Sequence, residues 1–103
     1  MNGIIGLETS LPLALALVRD RVIDARRLIE LMSVHPARIL GLSAGTLGIG
    51  AAADITVIDP DRTFTYTEDQ VLSKSKNSPF LGWKLQGRAV LTMMDGRVTH
   101  TLL

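Results

Sequence analysis

An α+β fold is predicted for this chain, with helices first and a mostly antiparallel sheet after them. Three observations predict it. Residues 11–18 form an apolar run entered through Pro12. Gly45, Gly48 and Gly50 then mark a change from helical spacing to alternating, β-rich sequence. Finally, Asp95-Gly96 lies between residues 89–94 and 97–102, the pattern of a tight β-hairpin.

The elements follow in order. Residues 3–10 are a glycine-punctuated loop in which Thr9 or Ser10 can cap a helix, and Pro12 suits a first turn because its missing N–H has no partner there. The helix that follows is apolar on every face for two turns, which predicts burial on all sides or a place in an interface. Asp24 is a good N-cap for a second helix over 25–33, with Leu28, Leu31 and Met32 on one stripe. His35-Pro36 is expected to break it, because the residue before a proline avoids the helical region. A short third helix over 37–40 follows, with Gly41 as its stop. Residues 54–59 read as a strand ended by Pro60, residues 62–66 as a second strand, and 69–77 as a polar loop or short helical turn.

The chain has 103 residues, enough for one small domain. Its net charge of +1 gives no electrostatic reason to expect a nucleic-acid or membrane partner. The opening residues carry no basic leader, and the longest apolar run is well short of the roughly 20 residues a membrane span needs. The absence of cysteine excludes disulfides and thiolate metal sites and fits a reducing, cytoplasmic setting. At 47% apolar residues, so small a body is expected to leave greasy surface for a partner to cover.

Candidate chemistry is sparse. The only histidines are His35 and His100, too few for a hydrolytic metal centre, which needs several nitrogen or oxygen ligands around one ion. Asp54, Asp59 and Asp61 flank one strand and its turn, where short acids bond local backbone. Glu8, beside the apolar helix, needs partners if it is buried and is a candidate to orient loop backbone. Gly45, Gly48 and Gly50 do not have dinucleotide-binding spacing. Lys74, Lys76, Lys84 and Arg88, interleaved with Phe80 and Trp83, read as a solvated loop rather than a nucleic-acid surface.

Several segments, in order, resemble the C-terminal portion of the dihydroorotases related to hydantoinases and allantoinases. Residues 3–13, GIIGLETSLPL, are similar to the loop and helix that follow that family's last catalytic aspartate. Residues 35–42, HPARILGL, resemble its N-P-A-x-I-L-G-L helix, with His35 where asparagine is common. Residues 45–59 resemble the amidohydrolase return to a small β domain, and 73–83, SKSKNSPFLGW, point to dihydroorotase in particular.

The resemblance implies that residues 1–44 are the terminal loop and helices of a (β/α)8 barrel, and that 45–103 are part of a small β-sandwich domain. It implies a metal-dependent parent enzyme, with zinc as its cofactor, that interconverts N-carbamoyl-L-aspartate and L-dihydroorotate in pyrimidine biosynthesis. The ligands of that metal would all fall before Met1, so this chain is expected to carry no catalytic residue and no metal ligand, to bind no zinc, and to be inactive alone. Its expected substrate-binding positions are Asn2 and Gly3, in a loop whose backbone touches substrate. Gly3 matches the family, whereas Asn2 replaces a common aromatic. The expected partners are the small-molecule substrate of the parent enzyme and either the missing barrel or a second copy docked through residues 11–18. A non-catalytic interaction module and a hydantoinase or allantoinase tail are the alternative readings.

Overall fold

The computed structural model describes residues 3–103. Helix α1 spans Ser10–Arg19, and a continuous helical path follows through α2 (Ala25–Ile29), a π turn (Glu30–Val34) and α3 (His35–Ile39). Strands β1 (Ile55–Thr65), β2 (Lys84–Met94) and β3 (Arg97–Thr101) form one antiparallel sheet in the order β1-β2-β3. The helices-then-sheet organisation expected from the sequence is present.

Helix α1 is not buried on all sides, the first of the two surroundings expected for it. Pro12 and Leu15 are buried, yet Leu17 is 43% exposed, so the helix is covered on one side only. Thr9 occupies the N-cap position without capping. Its buried hydroxyl instead donates back to the Gly6 carbonyl at 3.4 Å. At the far end Arg21, with φ of 60°, closes the helix: its N–H bonds the Val18 carbonyl and the Val22 N–H bonds Leu17. This is the paired terminal bonding usually built on glycine.

The second helix starts as expected, with the Asp24 carboxylate accepting the Arg27 N–H at 2.8 Å. The expected break at His35-Pro36 does not occur. Pro36 has no N–H to give the carbonyl four residues back, and the turn before it widens so that the His35 N–H bonds the Glu30 carbonyl five residues back. The helix then ends at Gly41, where the Gly41 and Leu42 N–H groups close onto Arg38 and Ala37. Of the expected stripe only Leu28 is buried, while Leu31 and Met32 remain 45% and 42% exposed.

Pro60 does not end a strand either. β1 runs through it, with the ladder shifting between Asp59 and Thr63. β1 is an edge strand of this sheet, where a proline removes no ladder bond. Asp59 accepts the Asp61 N–H at 3.0 Å and holds the irregular stretch. Opposite it sits Gly87, with φ of 94°. A Cβ there would lie 2.4 Å from Leu15 Cδ1 and 3.2 Å from the Pro60 carbonyl oxygen, so α1 seats on β2 at this glycine. The hairpin forms as read: Asp95 and Gly96 have φ of 50° and 79°, and Asp54 accepts the Asp95 N–H at 2.8 Å.

The core lies where the sheet meets the N-terminal segment. Tyr66, Val71 and Leu85 are buried together, and Ile5, Leu13, Phe64, Phe80 and Leu81 pack against them. Residues from both ends of the chain therefore share one cluster.

Candidate functional site

The N-terminal loop lies against residues 72–77, and polar groups join the two. Glu8 reaches across first. Its Oε1 accepts the Leu72 N–H at 3.0 Å and the Ser73 N–H at 3.3 Å, while Oε2 accepts the Tyr66 hydroxyl at 3.3 Å. The carboxylate thus orients loop backbone, but that of a segment more than sixty residues away. Tyr66 is only 2% exposed. Burial, then the charge of Glu8 and the hydrogen bond to it, raise the Tyr66 hydroxyl above tyrosine's ordinary 10.0.

Asn77 makes the second crossing. Its side-chain amide donates to the Gly3 carbonyl, and its own carbonyl accepts the Ile5 N–H at 2.9 Å. Ser75 Oγ in turn accepts the Asn77 N–H at 3.3 Å. Lys76 turns back to donate to the Val71 carbonyl at 2.8 Å, which ties the segment to the core. Between the two crossings is a cavity of about 560 Å³, lined by residues 4–8 with Leu72 and Ser73. Its walls are mostly apolar, and the Glu8 carboxylate is the charged group among them.

Of the sequence-predicted substrate-binding positions, Gly3 lies on this loop. It is exposed, has φ of 83°, and has no atom within 4 Å of the place a Cβ would take. Asn2 lies outside the described residues. His35 and His100 fall on separate elements, α3 and β3. His100 lines a second cavity of about 300 Å³ together with Glu8, Tyr66 and Arg88. Among the described residues, no three acids, histidines or cysteines come close enough to hold a metal ion. Two residues of the basic stretch have internal roles: Arg88 stacks 4.4 Å above the Phe64 ring, and Lys76 is tied back as described. Phe80 and Trp83 pack edge to face at 5.0 Å. No helix among the described residues is long and apolar enough to cross a membrane.

The sequence reading missed two site residues. Tyr66 ends an alternating stretch of sequence, and its partner Glu8 becomes visible only in three dimensions. Asn77 lay inside the segment resembling dihydroorotases, and an amide among serines and lysines was the available signal.

The architecture is a short helical run returning to an antiparallel sheet, with the N-terminal loop hydrogen-bonded to residues 72–77. The model of the Amidohydrolase family matches residues 2–99, and the chain belongs to that family. Among its relatives, the dihydroorotase of Geotalea daltonii is 56% identical over 97% of this chain, and that of Aquifex aeolicus is 45% identical over the same share. The chain spans about a quarter of the length of these curated relatives, 24% in each case. Among solved structures, the L-hydantoinase (dihydropyrimidinase) from Arthrobacter aurescens superposes with a TM-score of 0.88 at 39% identity, covering 97% of this chain and 23% of that one. A D-hydantoinase has the same fold, with a TM-score of 0.88 at 24% identity, over 98% of this chain and 22% of its own.

Proposed function

We propose that this chain is the C-terminal portion of a dihydroorotase, the enzyme that interconverts N-carbamoyl-L-aspartate and L-dihydroorotate. The observation that carries the reading is the identity of 45–56% to dihydroorotases across nearly the whole chain. The hydantoinase structure is less similar, at 39%. In this reading residues 1–44 complete the barrel, residues 45–103 form part of the small β domain, and the Gly3 loop faces substrate at their junction. Asn2, the other proposed substrate-binding position, lies outside the described residues.

In this reading the chain carries no metal-dependent step and no turnover of its own. The metal chemistry that the family resemblance implies, with zinc as the expected ion, belongs to the remainder of the enzyme. That remainder also covers the apolar side chains left open here, among them Leu7 on the loop, Ile39 at the end of α3, and Leu40 and Ile49 after it. A cytoplasmic setting follows from the proposed pathway.

The test is direct. The purified chain, supplied with zinc, is expected to leave L-dihydroorotate unchanged at the rate of a metal blank. Ring opening above that blank contradicts the reading.

A further inference from the structure

The start of the loop, at Gly3, is not held by packing of its own. Gly3 is exposed, its φ lies in the left-handed region, and nothing packs where a side chain would be. The atoms that hold it come from the other end of the chain. Asn77 takes the Gly3 carbonyl with its side chain and the Ile5 N–H with its backbone, and Glu8 takes the Leu72 and Ser73 N–H groups five residues farther along the loop. Asn77 is itself held, through the Ser75 hydroxyl and through the Lys76 ammonium that grips the carbonyl of buried Val71. A continuous series of bonds thus runs from the core to the loop.

We propose that Asn77 is a positioning residue for the substrate-facing loop: it sets the direction of the Gly3 carbonyl and the Ile5 N–H, and with them the backbone presented to the substrate. The inference rests on the dihydroorotase reading above. Asn77 acts through Gly3 and touches no substrate. The side chain must donate, which explains an amide at this position. An aspartate of the same size would place a carboxylate against the Gly3 carbonyl, and both groups are acceptors. Backbone that contacts substrate equally in the ground and transition states governs KM more than kcat.

The experiment joins this chain to the remaining part of the Geotalea daltonii dihydroorotase and measures L-dihydroorotate hydrolysis. Asn77→Asp is expected to raise KM about tenfold and to leave kcat within about threefold. Asn77→Gln, which keeps the donor, is expected to lie closer to the parent. Val90→Ala removes buried bulk away from the loop and is expected to lower the melting temperature without moving KM. An active enzyme whose KM is unchanged by N77D, or rises equally in V90A, overturns the positioning role and leaves the functional reading intact. A folded, unmutated joined enzyme that does not open dihydroorotate overturns the functional reading and the substrate-facing role together. Hydrogen exchange on the 103-residue chain then judges the clamp itself. N77D removes the side-chain bond to the Gly3 carbonyl. By loosening the loop it is expected to speed exchange at the Ile5 amide at least about tenfold, although the backbone acceptor of that amide remains. An unchanged rate there overturns the clamp.

Discussion

Around Tyr66 the chain closes on itself, whereas from the end of α3 onward it leaves a run of apolar side chains in solvent. Tyr66, Val71 and Leu85 are 2%, 5% and 6% exposed, against 83% for Ile39, 70% for Leu40 and 78% for Leu47. Both regions face the same hydrophobic penalty. The first meets it with contacts from both ends of the chain, since Ile5 and Leu13 pack on the Tyr66 cluster. The second has no such partner among the described residues. Burial is therefore uneven along the chain, and the curated relatives it matches are about four times longer.

Substitutions at the two ends should break or sharpen this contrast. Leu85→Ala is expected to cost about 2–5 kcal/mol, as truncations in closed cores do. Ile39→Ser, at the open end, is expected to stay within about 0.5 kcal/mol. Urea unfolding of both variants measures the difference, and equal losses would mean that the open end is also packed. Gly87→Ala comes next, at about 2 kcal/mol. The left-handed backbone there disfavours any side chain, and Leu15 would have to shift off the strand. Its chemical melt is expected to lie between those of the other two variants.

A further effect, smaller than that at Gly87, concerns pH. The Tyr66 hydroxyl is raised above 10.0 in the folded chain by burial and by Glu8, so the folded state holds its proton where the unfolded state releases it. That contribution is fully present below about pH 10 and is lost as pH rises from there through the elevated folded value. Tyr66→Phe is expected to cost about 1 kcal/mol at neutral pH, through the lost bond to Glu8. It should also flatten the alkaline decline, which melting curves between pH 8 and pH 11 would detect. An identical decline in both proteins would assign it to other groups.

What the sequence disclosed follows the range of the interactions. The Asp95-Gly96 hairpin was legible because two adjacent residues suffice to make the turn. The Asp24 cap was legible because donor and acceptor are three residues apart. The two proline readings failed for a different reason. Pro36 and Pro60 each remove a donor, but a widened turn absorbs the first and an edge position the second, and neither device shows in local sequence. Glu8 was recognisable as a carboxylate in need of partners, yet Leu72, Ser73 and Tyr66 could not be named from a distance of about sixty residues. Asn77 was hidden in the same way. Gly3 was singled out by family resemblance, and the structure adds what holds it.

The most direct test of the central claim is the activity of this chain joined to the remaining part of the Geotalea daltonii enzyme, with L-dihydroorotate and hydantoin as competing substrates. Ring opening of dihydroorotate, with hydantoin turned over at least about tenfold less efficiently, is the predicted result. A folded, joined enzyme that prefers hydantoin, or that opens neither ring, would contradict it.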